Sequence, residues 1–471
     1  MTSPGTRRVA VVGAGPAGLY LLPTLLADGR VGGVDVFDAL PAPYGLVRYG
    51  VAADHAKTKR VAKVLARELE REQVRFFGNV VFGRDVHLGD LRRHYDAVVI
   101  ATGASRDRDL DVPGAGLPGS HGAAEFVAWY SGHPDAGSHI SLARGPSAVV
   151  IGAGNVALDV TRILAKSSDE LVTTDMPDDV IDQLARSTVT DVHVLIRRGP
   201  AQVKFSAPEL RELGRLDNAA VVLDPADLEL DPESEALAET SRDAATMVKV
   251  FRSWLDDAPD PSSRRRRVHL HFWCTPQRFL GDDGVTAVEV TRRRPRADGS
   301  PGTAETWTLG ASLVLRAIGY QPQPLPEVPF DAVRCTVPHD AGRVLDTAGG
   351  RPVTGLYVSG WIKRGPTGVI GTNRSDATET ATTLLADLDD LPAREVTDPE
   401  EIVAVLLGRG VQVVDWGGWL RLEAHEVTLG TPRGAETVKL SAREAMLAAT
   451  REVEAAEALA VETAEAGRTT S

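Results

Sequence analysis

The feature that most constrains this chain is a glycine-rich turn set between a strand and a helix. The run Arg8-Val9-Ala10-Val11-Val12 breaks into Gly13-Ala14-Gly15-Pro16-Ala17-Gly18, and an apolar stretch from Leu19 to Leu26 follows. The β-branched run reads as a buried parallel strand. The G-x-G-x-x-G that follows gives each glycine a task. Gly13 allows the tight turn, Gly15 lets a pyrophosphate approach the backbone, and Gly18 lets helix and strand pack closely. The helix start offers free N–H groups and a positive dipole end to phosphates. The next strand, Val34-Asp35-Val36-Phe37, ends at Asp38, where a carboxylate can accept a ribose hydroxyl.

The pattern recurs with a different charge. Ser147-Ala148-Val149-Val150-Ile151 runs into Gly152-Ala153-Gly154-Asn155-Val156-Ala157, and a helix is expected from Val156 to Ala165. The following strand, Val192-His193-Val194-Leu195-Ile196, ends in Arg197-Arg198 rather than in an acid. Cations at that position suit a ribose carrying a 2′-phosphate, which a carboxylate would repel. The second site therefore reads as one for NADP(H). Two dinucleotide folds in one chain point to FAD paired with a nicotinamide, with hydride passing between them. The runs Tyr95–Gly103, Leu313–Gly319 and Leu356–Gly360 read as strands that close each fold. The expected class is α/β, with two Rossmann-like dinucleotide-binding domains, the NADP domain being inserted into a discontinuous FAD domain.

Other readings fall away. Residues Val9 to Ala27 carry no charge, but they hold Gly13, Gly15, Gly18, Pro16 and Pro23, which suit a strand–turn–helix and not a signal peptide or membrane span. A cytoplasmic protein without membrane contact is expected. Cys274 and Cys335 are the only cysteines, so no C-x-x-C dithiol or four-thiolate iron–sulfur cluster is available, and no metal site is expected. That argues against a disulfide reductase and against a cluster-bearing amidotransferase subunit. The net charge of −13 speaks against nucleic acid as a partner.

The sequence resembles the adrenodoxin-reductase-like ferredoxin–NADP+ reductases over about Arg8 to Leu391. The resemblance rests on Pro43-Tyr44-Gly45-Leu46-Val47-Arg48-Tyr49-Gly50-Val51, on Asp54-His55, on Gly78-Asn79-Val80, on Gly154 to Val160 and on Arg197-Arg198-Gly199-Pro200. It rests above all on Gly360-Trp361-Ile362-Lys363-Arg364-Gly365-Pro366-Thr367-Gly368-Val369-Ile370-Gly371-Thr372-Asn373. It implies FAD contacts at Ala17, Asp38, Leu46, Phe82, Trp361, Gly368, Val369 and Ile370. It also implies NADP contacts at Ala153, Gly154, Asn155, Val156, Arg197, Arg198, Glu209 and Gly368, the last where the two rings meet. Asp38 stands where the family usually has Glu, Tyr44 replaces the usual Trp, Ala53 and Ala56 replace prolines, and Phe82 replaces a small β-branched residue.

The implied activity is hydride transfer from NADPH to FAD, then one-electron transfer to a ferredoxin-type iron–sulfur protein. His55 and Glu212 are the candidates for tuning or proton exchange beside the flavin, His55 the better because a histidine titrates near pH 7. An acidic acceptor needs a basic face, and Arg211, Arg215, Arg264 to Arg267 and Arg292 to Arg294 offer one. The competing class is a non-enzymatic FAD/NADPH-binding redox-sensing or interaction protein. The expected organisation is residues 1–105 and 329–390 for FAD, 106–328 for NADP, and 391–471 as a C-terminal appendix. Within it, Val411 to Trp419 are expected to add strands and Ser441 to Glu465 to form an Ala/Glu helix. Acidic stretches near Ser167–Asp182 and Asp224–Asp243 read as surface excursions.

Overall fold

A computed structural model describes residues 6–137, 140–256, 260–296 and 298–451. They form two compact units. The first holds the residues up to Arg106, Ser131–Asp135 and those from Tyr320 onward; the second holds Asp107–Tyr130 and Ala136–Gly319.

In the first unit seven strands lie side by side in the order His339–Asp340, Arg343–Leu345, Pro352–Val358, Ala97–Ile100, Arg7–Val12, Val31–Phe37 and Val74–Phe77. Those from Pro352–Val358 to Val74–Phe77 run parallel. The chain starts at Arg7–Val12, winds outward through Val31–Phe37 to Val74–Phe77, and then reverses to Ala97–Ile100 on the other side. That reversal is a topological switch point, where ligands of such sheets bind, and the Gly13 turn leaves the sheet there.

Alternation along the first strand splits its side chains between two apolar layers. Val9 and Val11 pack with Leu19, Leu22 and Leu25, whereas Ala10 and Val12 pack with Phe37, Phe77 and Leu91. Covering both faces explains why the strand reads as apolar throughout. Each fully buried Val or Leu contributes about 1.5–3 kcal/mol. One strand residue breaks the rule. Asp35 is fully buried and accepts hydrogen bonds from Arg8 (2.8 Å), Arg75 (2.6 Å) and the Tyr95 hydroxyl (2.5 Å).

The second unit holds a fully parallel sheet in the order Ser120–Gly122, Leu313–Arg316, Ser147–Ile151, Asp191–Leu195, Arg266–His271 and Ala219–Leu223. A separate antiparallel sheet, Cys274–Leu280, Ala287–Arg292 and Glu305–Gly310, joins the apolar cluster built on Val149, Ile151, Leu195 and Val314.

Several expected elements differ. The helix expected over Leu19 to Leu26 is two short ones, Pro16–Leu19 and Leu22–Ala27. Pro23 is the physical reason: it has no N–H to bond the carbonyl of Leu19, and its ring crowds the preceding turn. The expected strands over Val411 to Trp419 reduce to one bridge between Gly78 and Val414, after which Trp416–Gly430 is helical. Of the helix expected over Ser441 to Glu465, Arg443–Ala449 is helical; residues 452–465 lie outside the described residues. Residues 391–451 pack into the first unit, where Trp419, Leu422, Met446 and Ala449 join the layer that holds Val9 and Val11. The two acidic stretches are not mere surface excursions: they carry helices and bury Leu171, Met176 and Val180 in one, and Asp227 and Leu228 in the other.

Candidate functional site

In the first unit Val12 runs directly into the glycine turn. Gly13 has φ +114°, and a Cβ there would lie 2.4 Å from the carbonyl oxygen of Ala101, so only glycine fits. The loop at Tyr44–Gly45 crosses this turn: Tyr44 donates its N–H to the Ala14 carbonyl (2.8 Å), and a Cβ on Gly45 would lie 3.2 Å from Gly15 Cα. Tyr44 takes φ +79°, a strained setting for a side-chain-bearing residue. The N–H groups of Gly15 and Ala17 find no acceptor among the described residues. N–H groups of this kind at a helix start suit an anion.

Asp38 closes this cradle. Its carboxylate accepts from the N–H groups of Ala14 (2.8 Å) and Leu40 (2.9 Å). Burial pushes its pKa up to about 6, although those two N–H groups and the Arg443 charge pull the other way. Leu46 opens the helix Leu46–Tyr49, partly buried. Phe82 is buried in the apolar layer with Phe37 and Val80, so its backbone, not its ring, is on offer.

The segment from Gly360 to Ile370 abuts the same turn. Ser359 donates its hydroxyl to the Ala17 carbonyl (3.2 Å), and the Gly360 N–H reaches Asp376 (2.5 Å). Trp361 donates its indole N–H to Thr367 O (3.1 Å), which folds the loop back on itself. Gly368 takes φ +83° and is exposed, Val369 is 69% exposed, and Ile370 is half-buried. Gly368 to Ile370 thus present backbone and apolar surface to the outside. Lys363 is buried and neutralised by Asp376 (3.0 Å) and Glu379 (2.5 Å). His55, half-buried, caps the short helix Ala56–Lys59 in this unit, its N–H on Ala52 O (3.0 Å).

The second unit repeats the turn. A Cβ on Gly152 would lie 2.3 Å from the carbonyl oxygen of Ala317. The N–H groups of Gly154 and Val156 find no acceptor among the described residues, and they lie at the start of the helix Asn155–Ala165, while the Asn155 N–H faces Lys204 across a short parallel bridge. Ala157, in the third glycine's place, is fully buried against the sheet. Asn155 accepts from the Ser206 N–H (2.7 Å), and Lys204 donates its N–H to Ala153 O (2.8 Å), so the loop before Glu209 is tied to the turn. Sequence reasoning missed the exposed Lys204, whose residue forms a bridge with Gly154. Arg197 and Arg198 are exposed at the end of the neighbouring strand, with no carboxylate at salt-bridge distance among the described residues.

Glu209 and Glu212 lie on the helix Ala207–Leu213 and flank the buried Arg162 at 3.3 and 3.9 Å; Asp159 joins it at 2.8 Å. Both glutamates thus already serve to neutralise a buried guanidinium. The expected basic face loses several members. Arg266 is buried against Leu164 O (3.0 Å), Arg267 pairs with Asp191 (2.5 Å), Arg292 pairs with Asp224 (3.2 Å), and Arg294 with Asp224 (2.9 Å) and Asp227. Arg211, Arg215, Arg264, Arg265 and Arg293 remain exposed.

The two cradles, each with unengaged N–H donors and with opposite charge beside the ribose position, define a two-dinucleotide oxidoreductase. Comparison with known proteins agrees. The profile of the pyridine nucleotide-disulphide oxidoreductase family matches residues 7–198. The chain is 40% identical to NADPH-ferredoxin reductase FprA of Mycobacterium tuberculosis, over 92% of this chain and 96% of that protein. It is 37% identical to the mitochondrial NADPH:adrenodoxin oxidoreductase of Arabidopsis thaliana, over 94% and 95%. The solved structure of Mycobacterium tuberculosis FprA in complex with NADPH superposes with a TM-score of 0.86 at 38% identity, covering 94% of this chain and 99% of that one. The chain belongs to the adrenodoxin-reductase-like family of ferredoxin–NADP+ reductases. It is a flavoprotein oxidoreductase whose cofactors are FAD and NADP(H). No helix among the described residues is long and apolar enough to cross a membrane.

Proposed function

We propose that this chain draws reducing equivalents from NADPH and delivers them singly to a ferredoxin-type iron–sulfur protein, the class of partner named for its relatives. The observation that carries this is the contrast between Asp38, enclosed at one strand end, and Arg197-Arg198, exposed at the other. When bound, the nicotinamide supplies a hydride and the flavin converts that electron pair into single electrons. The protein's part is positioning and electrostatics.

In this reading Gly13 and Gly18 shape the turn on which the N–H groups of Gly15 and Ala17 hold the FAD pyrophosphate, Asp38 holds its ribose, and Leu46 and the Phe82 backbone line its path. Trp361, Gly368, Val369 and Ile370 form a shelf for the flavin ring. Ala153, Gly154, Asn155 and Val156 hold the NADP pyrophosphate, Arg197 and Arg198 its 2′-phosphate, and Gly368 gives the nicotinamide room. Glu209 acts through Arg162, which it neutralises, and Glu212 is a weaker partner of that guanidinium. His55 is the proton-exchange candidate. A basic surface on Arg211, Arg215, Arg264, Arg265 and Arg293 would draw an acidic acceptor.

An anaerobic titration followed near 450 nm tests the core of this. Bleaching by NADPH at far lower concentration than by NADH is the expected result. A protein that neither nucleotide bleaches would overturn it. Raising the salt is expected to raise the KM for ferredoxin, and a salt-independent KM would remove the basic surface.

A further inference from the structure

The C-terminal segment reaches the acid turn of the first cradle from outside the Rossmann pattern. Arg443, at the start of the helix Arg443–Ala449, donates to the Ala39 carbonyl (3.0 Å) and to Asn79 Oδ1 (2.8 Å). Its other nitrogen makes a two-pronged contact with Asp135 at 2.8 and 2.9 Å. Asn79, held at φ +60°, passes the link on by donating to Gln412 O (2.9 Å), and Gly78 pairs with Val414 at 2.8 and 3.0 Å. The residue next to Asp38 is thus gripped by a segment more than 400 positions away in the chain. A second grip lies at the Tyr44–Gly50 loop. There Glu426 takes Arg48 at 2.6 Å, Lys439 donates to the Arg48 carbonyl at 2.7 Å, and Trp419 meets Tyr44 edge-on with ring centroids 5.7 Å apart.

We propose that Arg443 is a positioning residue for the adenosine end of FAD: it fixes the Asp38–Leu40 turn and keeps a positive charge beside the Asp38 carboxylate. The proposal rests on the reading that Asp38 holds the FAD ribose. A hydrogen-bonded guanidinium at one residue's remove sets the turn's shape, and its charge favours the ionised carboxylate, the form that accepts ribose hydroxyls best. The groups that face Asp38 are Arg443, Tyr49 and the N–H groups of Ala14 and Leu40; Asp135 and His133 face Arg443 in turn. Burial alone drives the Asp38 carboxyl upward, and the Arg443 charge opposes that. Removing the arginine therefore extends the protonated range of Asp38 to higher pH.

The test uses full-length holoprotein and follows FAD release by flavin fluorescence from pH 5 to 8. For Arg443→Ala the expected result is release on the order of tenfold faster at pH 7, with the pH midpoint of retention moved upward. Arg443→Lys keeps the charge but cannot bond Asp135 and the Ala39–Asn79 pair through two separate nitrogens, so it should restore the midpoint while leaving part of the faster release. Asp38→Asn separates the two ideas. If Asp38→Asn keeps FAD as well as the parent, the ribose assignment fails. If Asp38→Asn loses FAD while Arg443→Ala releases it at the parental rate and midpoint, the role of Arg443 fails. A faster release with an unmoved midpoint, shared equally by the lysine variant, would reduce Arg443 to a structural tie and overturn the proposal. Far-UV circular dichroism of each variant identifies any that has not folded; Asp135→Asn, which loosens Arg443 without removing it, then serves in its place and should speed release.

Discussion

Acidification should loosen the second unit through three histidines on one face of its parallel sheet. His193 and His269 are register partners on neighbouring strands, and their rings stack with centroids 4.4 Å apart. His193 Nδ1 and His271 Nε2 lie 3.1 Å apart, a hydrogen bond that needs at least one neutral ring. Around them stand Asp191, Arg267, Arg292, Asp224 and Trp307; Asp191 binds His269 at 2.8 Å and Arg267 at 2.5 Å. Burial, then the neighbouring His269, lowers His193 to about 4, and burial with both other histidines lowers His271 to about 3. These native values lie below the unfolded value of about 6.5, so the unfolded chain binds more protons in between. The stability these neutral rings confer is complete above that value and falls as the pH drops toward 4. At pH 5 each ring loses about 1.4 kcal/mol per unit over 1.5 units, or about 2 kcal/mol, and about 3 kcal/mol for the pair after a discount for partial solvent access. Against total stabilities of about 5–15 kcal/mol that is large. Burial alone would raise Asp191, but Arg267 and His269 hold it well below the usual carboxylate range, so it stays ionised at pH 5 and adds no slope there. The assay is urea unfolding at pH 7 and pH 5, parent against His271→Gln. His133 and His339 are also lowered by burial, but both proteins share them, so the difference isolates the cluster. The variant should show an acid loss smaller by about 1–2 kcal/mol. Equal losses in the two proteins would refute the argument.

Replacing both Arg197 and Arg198 by alanine should raise the Kd for NADPH on the order of 100-fold and leave that for NADH nearly unchanged, since each charge-assisted bond to a phosphate is worth about 1.5–3 kcal/mol; a parallel loss for both nucleotides in equilibrium titrations would contradict the 2′-phosphate assignment. Gly13→Ala places a methyl 2.4 Å from the Ala101 carbonyl oxygen at φ +114°, so the purified variant should be colourless or unfolded; a yellow protein of parental Tm would show that the turn can shift. His55→Ala should slow flavin reduction by NADPH in stopped flow without loss of bound FAD, and an unchanged rate would dispose of its role.

The sequence made the glycine turns legible because their constraints are local. A tight turn, an unengaged N–H and a close helix each demand a residue type at fixed spacing. The parallel strands themselves were legible too, since strands with both faces covered read as continuous apolar runs; their order in each sheet was not. What stayed hidden depends on distant pairing. Arg266, Arg267, Arg292 and Arg294 looked like surface charge, yet their partners are Leu164 O, Asp191, Asp224 and Asp227, which no spacing rule connects. Asp35, inside an apolar strand, gave no hint of Arg8, Arg75 and Tyr95 around it. The C-terminal segment was hardest, because Trp419, Glu426 and Arg443 act on loops near the start of the chain.

One backbone device thus appears twice with opposite settings, and the difference bears on how each cofactor is used. Both turns offer N–H groups to a pyrophosphate, so neither pyrophosphate site discriminates by itself. The strand ends do. Around Asp38 the carboxylate is enclosed, two N–H groups hold it, and Arg443 and Asn79 tie its turn to the C-terminal segment. A ligand seated there must break a packed, cross-linked surround before it can leave, which slows release. Arg197 and Arg198 are exposed at their strand end, where their charge is open to solvent. Exposed charge speeds encounter, and its hold is screened by salt, with a range of about 8 Å under physiological conditions. If, as proposed, FAD lies at the first end and NADP(H) at the second, the first should be retained through many turnovers and the second exchanged in each.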